Sequence, residues 1–323
     1  MARRPGTGYL GVVVRRGSTR GLDWRLGPAE SGLLGHLAYS QRLTVRSRTE
    51  RNWLGPSPSW APQADLFSPR SSHSGGKLTL LCDAKTDGSF LVHHFLSFYL
   101  KANCKVCFVA LIQSFSHYSI VGQKLGVSLT MARERGQLVF LEGLKSAVDV
   151  VFQAQKEPHP LQFLREANAG NLKPLFEFVR EALKPIDSGE ARWTYPVLLV
   201  DDLSVLLSLG MGAVAVLDFI HYCRATVCWE LKGNMVVLVH DSGDAEDEEN
   251  DILLNGLSHQ SHLILRAEGL ATGFCRDVHG QLRILWRRPS QPTVHRDQSF
   301  TYQYKIQDKS VSFFAKGMSP AVL

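Results

Sequence analysis

From Gly76 onward, apolar residues fall into short continuous runs separated by stretches that repeat every three to four positions. Residues 77–81 predict a buried strand, and residues 89–101 an apolar helix. A strand is expected at 105–112, ending in Gln113-Ser114, then a helix around 118–126 and a strand at 137–141. A helical pair follows over about 145–184, with Leu175, Phe178, Val179 and Ala182 on one stripe. Strand 196–200 runs into Asp201-Asp202, and helix 211–224 precedes strand 234–240. Continuously apolar strands alternating with helices predict a parallel sheet covered on both faces. Beyond residue 260 the pattern shortens and alternates. Segments 261–267, 271–276, 281–287, 299–306 and 309–315 read as antiparallel strands, with turns at His279-Gly280 and Asp308-Lys309. The expectation is an α/β fold: a mostly parallel sheet flanked by helices, with a C-terminal antiparallel β extension.

Residues 1–75 have no such period. They are rich in Arg, Gly, Ser and Pro and read as a disordered or variant-specific segment, with residues 76–323 as the folded domain. An Arg-rich RNA-binding arm is the functional rival. Composition sharpens the division. The first 75 residues hold eleven Arg and no Lys against four acids, so the formal +6 belongs to them; the rest carries 25 bases against 26 acids. A near-neutral body does not by itself announce a nucleic-acid binder.

The six cysteines sit mostly in apolar runs and read as buried reduced thiols, which places the chain in the cytosol, with the nucleus as a second location. Cys104 and Cys107 form a C-x-x-C, but no second pair has matching spacing, so no metal is expected. His93 and His94 lie on the apolar helix and read as structural. The acidic run 241–251 reads as a solvated loop that any RNA path would avoid. The longest uncharged apolar run, Leu203–Leu217, is shorter than the roughly 20 residues that span a bilayer. Its two glycines and flanking Asp202 and Asp218 favour a buried helix, and no membrane is expected as a partner.

The sharpest chemical feature is the joint between the first strand and the first helix, Cys82 to Gly88. Strand, Gly-bearing loop and helix form the frame of a P-loop, whose working pattern is G-x-x-x-x-G-K-[ST]. With Gly88 as the second glycine, Asp83 takes the place of the first, Ser89 that of the phosphate-binding Lys, and Phe90 that of the Mg²⁺-binding hydroxyl. Asp83 and Asp87 add negative charge where polyphosphate would sit. Val197–Val200 followed by Asp201 is Walker B-like, on a strand expected to neighbour the first; Asp201 or Asp202 capping the next segment is the plainer reading. A water-polarising carboxylate is expected at the end of the second strand, yet no Asp or Glu occurs from Gly88 to Arg133. Single electrostatic contacts of this kind are worth roughly 3–4 kcal/mol in a transition state. Three losses together predict no autonomous hydrolysis, and no cofactor. Arg283, Arg287 and Arg288 end one antiparallel segment, with Arg276 on the neighbouring one. They are read as a solvated strand edge or as phosphate contacts to RNA.

Three segments carry a resemblance: Lys77 to Leu96, Cys107 to Tyr118, and Tyr195 to Leu203. Over about 248 residues from Gly76 the chain resembles the family of the sixth subunit of the Elongator complex; residues 1–75 do not fit it. The resemblance implies a RecA-like core and a non-catalytic pseudo-ATPase. It implies a six-membered ring with the RecA-like fourth and fifth subunits, docked on a catalytic subcomplex that performs the chemistry. It further implies tRNA binding in support of wobble-uridine (U34) modification. A RecA-like scaffold with no RNA role, and a weak ATPase using Asp201 and Lys85, are the alternatives.

Overall fold

The structure, a computed structural model, describes residues 76–152, 159–165, 170–185, 193–241, 247–273, 275–287 and 297–315. Expectations for residues 1–75, for Arg288 and for the centre of the acidic run fall outside these residues. The described chain begins with strand β1 (Leu78–Ala84), helix α1 (Ser89–Lys101), β2 (Lys105–Ala110), α2 (Phe115–Lys124), α3 (Leu129–Glu134) and β3 (Leu138–Glu142). Helices α4 (Gly143–Phe152) and α5 (Lys173–Leu183) follow, then β4 (Pro196–Asp201), α6 (Ser204–Ser208), α7 (Ala213–Arg224), β5 (Asn234–Asp241) and α8 (Glu248–Gln260). Strands β6 (Leu263–Glu268), β7 (Gly280–Trp286), β8 (Gln298–Ile306) and β9 (Val311–Ala315) complete the series.

Among the described residues, nine strands form one sheet in the order β3-β2-β4-β5-β1-β6-β7-β8-β9. Pairings from β3 to β6 are parallel, and those from β6 to β9 antiparallel. The class, the parallel core and the antiparallel extension match the hydrophobic pattern. Strand β1 lies inside the sheet, so both faces need apolar cover. Leu78, Leu80 and Cys82 join a core shared with α4, α5, α7 and α8. Leu81 joins the opposite core, with α1, α2, α3 and residues of β7, β8 and β9. Each fully buried Leu is worth roughly 1.5–3 kcal/mol, so the two cores fix the register of β1.

Local expectations are corrected in five places. The Walker B-like strand β4 does not neighbour β1, because β5 lies between them. Segment 263–268 pairs parallel with β1 and antiparallel with β7, so the switch of direction falls after β6. Among the described residues, 271–273, 275 and 276 are not in a strand. The chain turns there, with Gly273 N–H donating to Leu270 C=O at φ +85°, a conformation suited to Gly. Gly280 is the first residue of β7 rather than a turn, and His279 N–H already donates to Tyr304 C=O. The apolar run from Leu203 is two helices, α6 and α7, broken at Gly210, whose φ is +88°. Among the described residues, no helix is long and apolar enough to cross a membrane.

Candidate functional site

The end of β1, the following loop and the start of α1 form the expected strand–loop–helix. Asp83 is the last buried position of β1, only 4% exposed, and its side chain turns into the loop. One carboxylate oxygen, Oδ2, accepts the backbone N–H of Gly88 at 2.7 Å. The other, Oδ1, lies 2.6 Å from His240 Nδ1 on β5, the residue paired with Asp83 across the sheet. In a working P-loop such N–H groups would cradle phosphate. Here the chain's own carboxylate takes the Gly88 donor. A Cβ on Gly88 would sit 2.8 Å from Asp83 Cβ and 3.1 Å from its Oδ2, so glycine is required by close approach.

The rest of the loop is also internally satisfied. Lys85 has φ +56° and is exposed. Asp87 Oδ1 accepts Ser89 N–H at 2.8 Å and starts α1 in place of a phosphate contact. Phe90 is buried, 4.9 Å ring to ring from Tyr304 of β8. The Tyr304 hydroxyl lies 3.2 Å from Thr86 Oγ1. The antiparallel extension therefore reaches across the sheet edge and braces the loop. The residues present do not fit a polyphosphate: a hydroxyl stands at the cation position, a phenyl ring at the metal position, and a carboxylate in the cradle.

At the end of β4, Asp201 and Asp202 part company. Asp201 is 2% exposed and accepts a short hydrogen bond from the Tyr118 hydroxyl of α2. Burial pushes its carboxyl up to about 7, against the Tyr118 bond, which lowers it. Asp202 accepts Ser204 N–H at 2.5 Å and so performs the expected capping of the next segment. Burial raises it to about 6, opposed by the Ser204 contacts. Burial also raises Asp83, opposed by the Gly88 N–H and then by His240. His240 is pulled down by partial burial, but its hydrogen bond and charge interaction with Asp83 outweigh that, and its pKa rises. At the end of β2, where a water-activating acid is sought, Ser114 Oγ instead caps α2 by accepting His117 N–H at 3.3 Å.

His240, Tyr118 and Tyr304 are the contributors that sequence reasoning missed. His240 closes strand 234–240 and could have been found from its place beside the expected loop. The two tyrosines lie 83 and 218 residues from their partners, and no local signal marks them. His93 lies on α1 near the rings of His117 and Tyr118, at 5.4 and 5.2 Å. Burial, followed by His117, lowers it to about 4, and burial lowers His94 similarly. Cys104 and Cys107 are fully buried. Among the described residues, no group of three His, Cys, Asp or Glu side chains could hold a metal ion.

The arginines do not form the expected edge. Arg276 lies exposed in the loop between β6 and β7 rather than on a strand. Arg283 is on β7, an interior strand, and its Nη2 donates to Glu268 at 3.3 Å. Arg287 Nη1 donates to Ser258 C=O of α8 at 2.5 Å.

Two solved structures from Pyrococcus horikoshii are similar at a TM-score of 0.46: an uncharacterised protein in complex with an unknown peptide and a KaiC-like protein. They share 12% and 13% identity and cover 76% and 74% of this chain, and 94% and 90% of their own. The sheet topology, rather than those likenesses, defines the fold. Sequence relatives are far closer. Elongator complex protein 6 of Homo sapiens is 99% identical over 248 residues, 77% of this chain and 93% of its own length. The Mus musculus protein of the same name is 81% identical over the same shares, and that of Danio rerio 52% over 80% of this chain and 95% of its own. The family model described as Elongation complex protein 6 matches residues 66–308, and the chain belongs to that family.

Proposed function

We propose that this chain is a non-catalytic, RecA-like ring subunit of Elongator whose nucleotide loop persists as a structural joint. It assembles with the fourth and fifth RecA-like subunits into a six-membered ring beside the catalytic subcomplex. The ring binds tRNA and supports wobble-uridine modification, in the cytosol with the nucleus as a second location. The observation that carries the pseudo-ATPase reading is the Asp83 carboxylate on Gly88 N–H, in the place a phosphate would occupy. Ser89, Phe90 and the acid-free stretch to Arg133 support it. Family membership supports the subunit reading.

Co-expression with the fourth and fifth subunits, read by native mass, is the test. The expected mass is that of six subunits, raised by bound tRNA. A stable monomer that ignores those partners would end the ring reading, and a full ring that does not take up tRNA would end the RNA role alone. Thermal shift and turnover with millimolar ATP and Mg²⁺ address the enzyme question, and neither is expected to respond.

A further inference from the structure

A second site lies on the opposite face of the sheet from the loop brace. Between α8 and the β6–β7 face is a cavity of about 300 Å³, lined among others by Arg266, Arg283, Arg287, Asp251, Asn255 and Ser258. Its size is at the lower end of small-molecule sites, roughly 300–1,000 Å³. Cys82, Leu254, Ile264 and Leu285 give it an apolar wall, which strengthens any charge interaction made there.

The arginines are not equally engaged. Arg266 is held on both sides, by Asp241 through a short contact and by Glu268 at 3.0 Å. Arg283 is half exposed and gives only one donor, at 3.3 Å, to the same Glu268. Arg287 gives one donor to the Ser258 carbonyl, while its shielded Nε has no partner among the described residues. Arg266 is spent on Asp241 and Glu268 and Arg283 shares Glu268, which leaves Asp251 as the lining carboxylate that neither arginine pair engages. Asn255 and Ser258 add neutral donors on the α8 side. A half-exposed fork with open donors, beside a second guanidinium that gives one hydrogen bond to a carbonyl, is a setting for a tetrahedral oxyanion.

We propose that this cavity binds a single phosphate group, held by Arg287 and Arg283. Two sources carry that chemistry, a small phosphate ester and a phosphate of RNA. Asp241 and Asp251 line the same cavity and Glu248 and Glu249 begin α8, so a run of phosphates is repelled and the small ester is favoured.

The test is titration of the full chain with inorganic phosphate at constant ionic strength, followed by calorimetry. Saturable binding is expected, weakened about tenfold or more in Arg287→Ala, as for loss of a charge-assisted contact. Because Arg287 also ties β7 to α8, Asp251→Asn serves as a variant that spares that tie. It should tighten phosphate binding, by about threefold for removal of one partly screened like charge. No saturable phosphate binding, or no tightening in Asp251→Asn, would overturn the proposal. A separate arm measures tRNA binding by the assembled ring. It is expected to be unchanged in Arg287→Ala, and a loss there without phosphate binding would assign the arginines to RNA instead. A ring that never binds tRNA leaves the phosphate titration intact, so the two readings fail separately.

Discussion

The ends of β1 and β4 each present a buried carboxylate where a nucleotide fold keeps its chemistry, yet they are used in opposite ways. Asp83 at β1 is satisfied by a backbone N–H and an imidazole, and its contacts set the shape of a loop. Asp201 at β4 is satisfied by one phenol inside the core. The first carboxylate is a structural ligand to the chain itself. The second is a charge held in a place that resists charge.

The largest expected effect breaks this comparison at β4. Asp201 ordinarily titrates near 3.8 but is pushed up to about 7 in the fold. The folded state therefore binds its proton more tightly than the unfolded state. Stability is full below the lower value and falls as pH rises from about 4 through 7. A shift near three pH units is worth up to about 4 kcal/mol. Asp201→Asn keeps an acceptor for Tyr118 and removes the charge. The variant should match the parent at pH 4 and exceed it by a few kcal/mol at pH 8, as read by urea unfolding across that range. Equal stability at pH 8 would mean that Asp201 is comfortably ionised beside Tyr118.

A smaller effect sharpens the comparison at β1. Gly88→Val places side-chain carbon within 3 Å of Asp83. Overpacking of this kind costs about 1–3 kcal/mol, and the Asp83–Gly88 hydrogen bond would be strained with it. The expected result is a lowered melting temperature. If Gly88→Val melted like the parent, the close approach of Asp83 to Gly88 would not be holding the loop.

These two ends also mark what the sequence could disclose. The strand–loop–helix at Gly88 was legible because its signals are local: an apolar run, a glycine and an amphipathic start within about a dozen residues. Asp202 as a cap was legible for the same reason. The place of β4 was not, since strand order depends on crossovers that leave no periodic trace, and β5 arrives only after residue 233. The supposed strand at 271–276 failed because alternation over so short a span cannot outweigh a turn at Gly273. Asp83 reads in the sequence as a charge hostile to phosphate, but its role as the loop's own acceptor depends on His240 and Gly88 being brought beside it. Tyr304, arriving from β8 to brace Thr86, belongs to tertiary structure alone.

The last and smallest effect is an expected absence of change. Ser89→Lys restores the cation of the P-loop pattern at the first residue of α1. A lysine there would face Asp87 and Asp83 before it faced any phosphate. Opposite charge nearby would hold it in an internal ion pair. The metal position would still be Phe90, buried against Tyr304, and the β2 end would still offer Ser114 rather than an acid. The variant should therefore show no turnover of ATP with Mg²⁺ and a melting temperature close to that of the parent. Turnover in Ser89→Lys would show that a single side chain, rather than the filled cradle, separates this loop from a working one.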